Sequence, residues 1–482
     1  MRQVKFLKGP PVPLEMHKAR IVQAISLPDV DARVEKNSKA HNNAHLLKSE
    51  DVFLDMLTDS GTNAMSDRQL AAMMEADDAY AGSASYYKLE SRIKEVFGME
   101  YFLPAHQGRA CEHLLCRAFI RQGQKVLTNY HFTTFRAHCK NAGGKLEELV
   151  AEDAFETESS NPFKGDMDIA RLESSIKLNM SQIAFVRIEA GTNLIGGQPV
   201  SLGNMQHVRK LCRKYGVAMV LDASLLSDNA YFIKKREAAA EKLTIRQIIE
   251  RIAECFDVIY FSGRKLTSAR GGGMCFRHKG EYLTVRDLVP IYEGFLTYGG
   301  VSVRELEAMA IGLEETMDEE FCAQGPIFIE HMAKMLIESG VPVVTPPGGL
   351  GVHLDAARFC EAVPAQQYPG AALGAALYLC SGIRGTERGT LSEDRDESGN
   401  EVFANMELLR LALPRRVFTL SQIDYAVDRI AWLYGNRQLI GGLRFEGEEP
   451  KALRFFFGEL APIGSWQRHL VSKFKADFGN SL

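Results

Sequence analysis

Several polar residues stand where short apolar runs give out. Gln107-Gly108-Arg109 follows YFLPA, Asn193 follows QIAFVRIEA, Asp222 follows VAMVL, and Lys265 follows DVIYFSG with Arg264 beside it. A lysine withdrawn from water has a lowered pKa and can bond covalently to an aldehyde carbon. A buried carboxylate needs a partner, and a heterocyclic N–H is one such partner. Glycine at a helix start lets backbone N–H groups and the positive end of the helix dipole approach a phosphate, and Arg109 adds charge. Taken singly, each has a plainer reading: Lys265 reaching solvent, Asp222 bonded to turn amides, QGR an ordinary turn. In combination they meet the needs of pyridoxal phosphate. Lys265 would hold the aldehyde carbon and later move a proton at Cα, and Asp222 would keep the pyridine nitrogen protonated as an electron sink. Ser262 and Arg264 would add phosphate donors.

The elements that must position these residues follow from the chain pattern. From about residue 100, short β-branched runs (KVLTNYHF, QIAFVRIEA, VAMVLDAS, DVIYFSG) alternate with helical stretches such as QGRACEHLLCRAFI and NMQHVRKLCRKYG. That alternation predicts an α/β fold with a mostly parallel sheet covered on both faces, and in such sheets ligands sit beyond the carboxyl ends of the strands. Before it, Ser66 is placed to cap a helix, and YYKLESRIKEVFG reads as a second helix stopped by Gly98. After about residue 315 the pattern shifts to helices with few strands, around EHMAKMLIESGVPVV, GVHLDAARF and LLRLALP, which predicts a smaller α+β domain. The expected division is a large domain over 58–315 and a small one from 1–57 and 316–482. The charged stretch EDRDESGNE (393–401) reads as a solvated loop.

Composition narrows the function classes. A net charge of −4 gives no electrostatic case for nucleic acid or an anionic membrane, and no run approaches a membrane span. The N-terminal run lacks a signal-peptide core, since Lys5, Lys8 and prolines break it. Nine cysteines, an odd number scattered without a CxxC, point to a reducing compartment, the cytoplasm, and to no disulfide framework or structural zinc.

The chain resembles the β-eliminating lyases of fold type I, the tyrosine phenol-lyase and tryptophanase family, from about residue 50 to 458. The marks are LTDSGTNAMSD (57–67), DDAYAGSASYYKLE (77–90), PAHQGR (104–109), HFTTFRAH (131–138), NLIGGQPVS (193–201), DNAYFIKKRE (228–237), YEGFLTYGG (292–300), EAMAIGL (307–313), MELLRLALPRR (406–416) and EPKALRFF (449–456). The resemblance implies a seven-stranded large domain, pyridoxal 5′-phosphate on Lys265, and phosphate contacts from Gln107, Gly108, Arg109 and Ser262, with Arg264 nearby. Phe132 then stacks on the pyridine, Asp222 pairs with its nitrogen and Asn193 lies near the ring hydroxyl. Arg410 grips the substrate α-carboxylate, with Thr58 and Ser60 at the same end. Tyr80, which without the resemblance could equally be a packing residue, hands a proton to the leaving group.

Within the family, Thr133 and Arg388 (in GTERGT) match the groups that engage a phenol oxygen, and Phe455 stands where tryptophanase has a histidine. The implied reaction is elimination of an aromatic L-amino acid, most like that of tyrosine phenol-lyase, giving a phenol, pyruvate and ammonia. Alternatives are another amino-acid substrate (tryptophan, a substituted tyrosine, an S-substituted cysteine) or a non-catalytic binding module. Departures from the family pattern are Leu225 for an arginine near the ring hydroxyl, Arg264 for a lysine, Leu350 for a histidine and His45 for an aromatic lining the phenol pocket. The monovalent-cation site, K+ in the family, would use Gly61 and Asp78, the latter shorter than the usual glutamate. The likeness further implies a homotetramer built from dimers, with Tyr298 and Arg264 near the dimer interface.

Overall fold

The computed structural model describes residues 6–7 and 11–479; Lys5 and Lys8 lie outside them. The described residues form two compact units: 60–154 with 161–326, and those up to 59 with 155–160 and 327–479.

The first unit is built on a seven-stranded sheet. Its strands are β1 (Tyr101–Ala105), β2 (Lys125–Thr128), β3 (Lys145–Glu148), β4 (Ile183–Glu189), β5 (Met219–Asp222), β6 (Val258–Ser262) and β7 (Gly272–Phe276), in the order β1-β7-β6-β5-β4-β2-β3. The pairs from β6 through β5, β4 and β2 to β3 are parallel, while β7 runs antiparallel to both β6 and β1. Every residue of β5 and β6 is buried, which is why these segments read as unbroken apolar runs. Of the glycines after Lys265, Gly272 and Gly273 open strand β7. A Cβ on Gly272 would come within 2.6 Å of the Phe261 carbonyl oxygen and 2.9 Å of Gln107 backbone. Absence of a side chain there lets β7 pass against the start of the helix at 108. Flanking helices carry the expected punctuation. Ser66 and Gln69 form a reciprocal cap, and Gly98 ends its helix at φ +59°.

The second unit holds a three-stranded antiparallel sheet of β8 (Gly351–Asp355), β9 (Thr386–Arg388) and β10 (Leu408–Ala412), with β10 in the centre. The helix Pro369–Ser381 is apolar all round and buried along its whole length, so it forms the middle of this unit's core. Leu54–Asp55 pairs in parallel with Ile383–Arg384, tying the early chain to this unit. Segment 155–160 joins it through backbone hydrogen bonds between Thr157, Ser159 and Thr345. The change of unit at 326/327 falls inside the helix Glu319–Glu338. The local mark at that point is Gly325-Pro326, since a proline inside a helix removes a backbone donor. Among the described residues no helix is long and apolar enough to cross a membrane. All nine cysteines are free and buried.

Candidate active site

Adjacent parallel strands bring three polar residues into one row. Glu189 and Asp222, the last residues of β4 and β5, pair in register, and Asp222 pairs with Tyr260 in the middle of β6. Arg187 lies two residues back on β4, so its side chain leaves the same face as Glu189. Its guanidinium is fully buried and donates from Nη2 to Asp222 Oδ2 at 2.8 Å and from Nε to the Tyr260 hydroxyl at 2.9 Å. Tyr260 in turn donates to the same Asp222 oxygen at 2.9 Å, while Oδ1 accepts from the Ser224 amide at 3.0 Å. Glu189 accepts from Arg187 at 3.3 Å and from the Asn193 amide at 3.0 Å. Burial works against the charge on Arg187, yet Tyr260, Glu189, Asp222 and Glu112 around it hold its pKa above the ordinary arginine value. Burial pushes Glu112, on the helix Gly108–Phe119, up to about 8 and raises Glu189 as well.

The rest of this corner fits a flat, phosphorylated heterocycle. Lys265 sits in the four-residue helical turn directly after β6, half-buried, with Nζ 5.9 Å from the centroid of the Phe132 ring. The helix Gly108–Phe119 starts at Gln107 with no side-chain cap, leaving its first amides to serve an anion. A Cβ on Gly108 would lie 2.9 Å from Ser262 Cβ, so glycine lets the helix start close on the end of β6. Thr133, buried in the first turn of the next helix, has a hydroxyl that makes no hydrogen bond within the protein. An uncapped helix start against Ser262, a carboxylate aligned by two donors and an amine near an aromatic face suit pyridoxal phosphate.

Other expected residues are placed as follows. Asn193 is buried and Arg109 is exposed, with its charge acting on His138. Arg264 packs beside Gly61, whose Cβ position lies 3.1 Å from its Nη1, and Asp78 makes an exposed ion pair with Arg304 at 3.4 Å. Gly61 and Asp78 thus each lie beside a guanidinium. Tyr80 is 69% exposed, stacked on Phe295 with centroids 5.3 Å apart and tilted against Tyr298. Leu225 is buried at the head of the helix Leu226–Arg236 and fills the space over Gly191.

In the second unit, β9 and β10 carry two buried arginines. Arg410 donates from Nη2 to the Leu57 carbonyl at 2.9 Å, next to Thr58, and Thr386 donates its hydroxyl to that same carbonyl. Ser60 opens the other unit. Burial and nearby Arg388 hold the Arg410 pKa well below the usual arginine range, and Asp59 offsets part of this. A site under that positive pressure favours a carboxylate ligand. Arg388 lies 5.5 Å from the centroid of Phe455, and His45 meets the same ring edge-on at 5.4 Å. Burial, with Arg388, Arg384 and Arg410 close by, pushes His45 down to about 3, so its imidazole is neutral at physiological pH. Leu350 takes a left-handed conformation, φ +73°, at the entry to β8, and its carbonyl accepts from the Leu413 amide.

Sequence reasoning missed Arg187, Glu189, Tyr260 and Glu112. The available signal was two charges at alternate positions inside the apolar run QIAFVRIEA, since such residues are almost never buried unpaired.

Comparison with known proteins gives a consistent assignment. Residues 55–429 match the β-eliminating lyase family. Tyrosine phenol-lyase of Symbiobacterium thermophilum is 39% identical over 452 residues, covering 93% of this chain and 98% of that protein. The enzymes of the same name from Fusobacterium nucleatum and Pasteurella multocida are 39% and 38% identical over 92% and 93% of the chain, and 97% and 99% of their own lengths. Among solved structures, serine palmitoyltransferase of S. paucimobilis superposes with a TM-score of 0.56 at 11% identity, over 81% of this chain and 89% of that one. The Sphingomonas wittichii serine palmitoyltransferase gives 0.54 at 13%, over 80% and 88%. These two likenesses are of fold alone. The sheet, the site and the matched length lead to one conclusion: the chain belongs to the β-eliminating lyase family.

Proposed function

We propose that the protein is a pyridoxal phosphate-dependent carbon–carbon lyase that converts L-tyrosine, or a close aromatic relative, to a phenol, pyruvate and ammonia. Bound pyridoxal phosphate supplies the electron sink for bond breaking at Cα. Lys265 anchors it and moves the Cα proton, Asp222 pairs with the ring nitrogen, and Phe132 stacks on the ring. Gln107, Gly108 and Ser262 hold the phosphate. Arg410 binds the α-carboxylate with a planar fork. Arg388 and Thr133 act at the phenol oxygen, and Tyr80 delivers a proton to the ring carbon that leaves. Supporting this are the relatives named tyrosine phenol-lyase, alike over nearly the whole chain.

The observation that carries the choice of leaving group is Arg388 beside the Phe455 ring: a buried cation against an aromatic wall suits an aromatic ring bearing an oxygen. Exposure of Tyr80, with its stacked partner Phe295, supports an assembly in which another copy covers this face, in line with a homotetramer of dimers. Nine free, buried thiols support a cytoplasmic setting.

The test is pyruvate release from L-tyrosine, L-tryptophan, L-DOPA and S-alkyl cysteines by protein reconstituted with pyridoxal phosphate. Phenol and pyruvate from tyrosine are expected, together with a visible absorption band lost in Lys265→Ala. Pyruvate from tryptophan but not tyrosine would overturn the substrate choice, and protein that stays colourless would overturn the cofactor.

A further inference from the structure

We infer that Arg187, acting with Tyr260, is a positioning residue for Asp222, setting the orientation and charge that this carboxylate presents to the cofactor's ring nitrogen. The inference rests on the cofactor reading above and goes beyond it, because neither Arg187 nor Tyr260 touches the cofactor in that reading.

Three features carry it. Arg187 is fully buried on a strand, where an arginine survives only with partners, and its hydrogen-bonded partners include Asp222, Tyr260 and Glu189. Its guanidinium also lies 4.3 Å from the centroid of Phe135, so the plane of the fork is fixed by packing as well as by hydrogen bonds. Finally, both donors converge on a single oxygen of Asp222. Oδ2 accepts from Arg187 at 2.8 Å and from Tyr260 at 2.9 Å, which leaves Oδ1, with one amide donor, as the oxygen with capacity for a further N–H. A carboxylate whose two oxygens are so unequally engaged has one orientation available. The ionisable groups facing Asp222 are Arg187 and Glu189 from β4, Tyr260 from β6, and Glu112 and Cys111 from the helix Gly108–Phe119. Of these, Arg187 alone is cationic, and it is hydrogen-bonded directly to Asp222.

The experiment uses the full chain and reads cofactor binding, not turnover. Pyridoxal phosphate is titrated into wild type, Arg187→Met, Arg187→Lys, Tyr260→Phe, Asp222→Asn and the double variant Tyr260→Phe/Asp222→Asn. Dissociation constants come from fluorescence, and the visible band of the bound cofactor is titrated with pH. Arg187→Met should weaken cofactor binding by about tenfold or more, the scale of losing an outer-shell partner. Its band should titrate about one pH unit or more away from wild type, the scale of losing an opposite charge. Arg187→Lys keeps the charge without the fork and should restore part of the titration but not the affinity. Tyr260→Phe should shift both readouts in the same sense by less, and its effect should vanish in the Asp222→Asn background. Should Arg187→Met fail to fold, the Tyr260–Asp222 cycle decides the matter. Folded Arg187→Met and Tyr260→Phe with wild-type affinity and wild-type titration would overturn the inference and leave the cofactor reading standing. A wild-type protein that takes up no pyridoxal phosphate would overturn both.

Discussion

At the scale of single residues, the proposed function gives the two buried arginines of β9 and β10 separable jobs. On that proposal Arg410 would meet the part of the substrate that every α-amino acid shares, whereas Arg388, beside Phe455, would meet only what differs between substrates. Replacing Arg388 with methionine should therefore lower kcat for tyrosine by about 10²–10³, the usual effect of removing one donor to a developing oxygen charge. Elimination from an S-alkyl cysteine, whose leaving group needs no such donor, should change little. Arg410→Met should instead cost about 1.5–3 kcal/mol in kcat/KM for both substrates, since a charged hydrogen bond common to both is gone. Steady-state kinetics on the pair of substrates checks both expectations, and a tyrosine-selective loss in Arg410→Met would reverse the assignments. His45 enters differently. It is neutral far below physiological pH, so His45→Phe should leave the shape of the pH–rate profile around neutrality unchanged, whatever it does to substrate preference.

Elements, more than residues, decide whether the cofactor corner exists at all. The start of the helix Gly108–Phe119 closes on Ser262 because residue 108 has no Cβ: one added there would sit 2.9 Å from Ser262 Cβ and 3.2 Å from its Cα. Gly108→Ala must push the helix start off the strand end, at a cost of about 1–3 kcal/mol, and a weaker dissociation constant for pyridoxal phosphate is the expected readout. Much of this corner was legible in the sequence, because a strand end is local information. The apolar runs before Asp222 and Lys265 end where β5 and β6 end, and the helix beginning at QGR begins there. The row Glu189–Asp222–Tyr260 was not legible, because register between strands separated by whole helices is set by tertiary packing and leaves no local trace. Strand β7 escaped for a related reason. Its glycines signal a turn in isolation, while their actual role is close approach to backbone at 107, which only the folded chain reveals. Likewise 155–160 joins the second unit by pairing with residue 345, a contact across almost two hundred positions.

At the scale of the whole molecule, both units bury carboxyl groups whose pKa burial raises, and this shapes how stability depends on pH. Glu112 and Asp166 in the first unit are pushed up by burial to about 8 and about 7; Glu407 and Glu387 in the second are pushed up by burial to about 8 and about 7. The last two point one oxygen each at Gly389, where a Cβ would lie 2.1 Å from Glu407 Oε2 and 3.0 Å from Glu387 Oε1, and neither of those oxygens has a hydrogen-bond partner. Each group binds its proton more tightly folded than unfolded. Its contribution is therefore complete below the ordinary carboxylate range and is lost as pH rises through about 7 to 8. His45 acts in the opposite sense, but its effect is confined to the interval between about 3 and its ordinary 6.5. Above about pH 6.5 the carboxyl groups are left unopposed by His45, so the melting temperature should fall steadily from about pH 6.5 to about pH 8.5. Glutamine at 407 imitates the protonated acid, and Thr390 can still donate to its carbonyl oxygen as it does to Glu407 Oε1. Glu407→Gln should thus lose less melting temperature over that interval than wild type, by scanning calorimetry at several pH values. A wild-type melting temperature that rises over the interval would mean these carboxyl groups give up their protons in the folded protein.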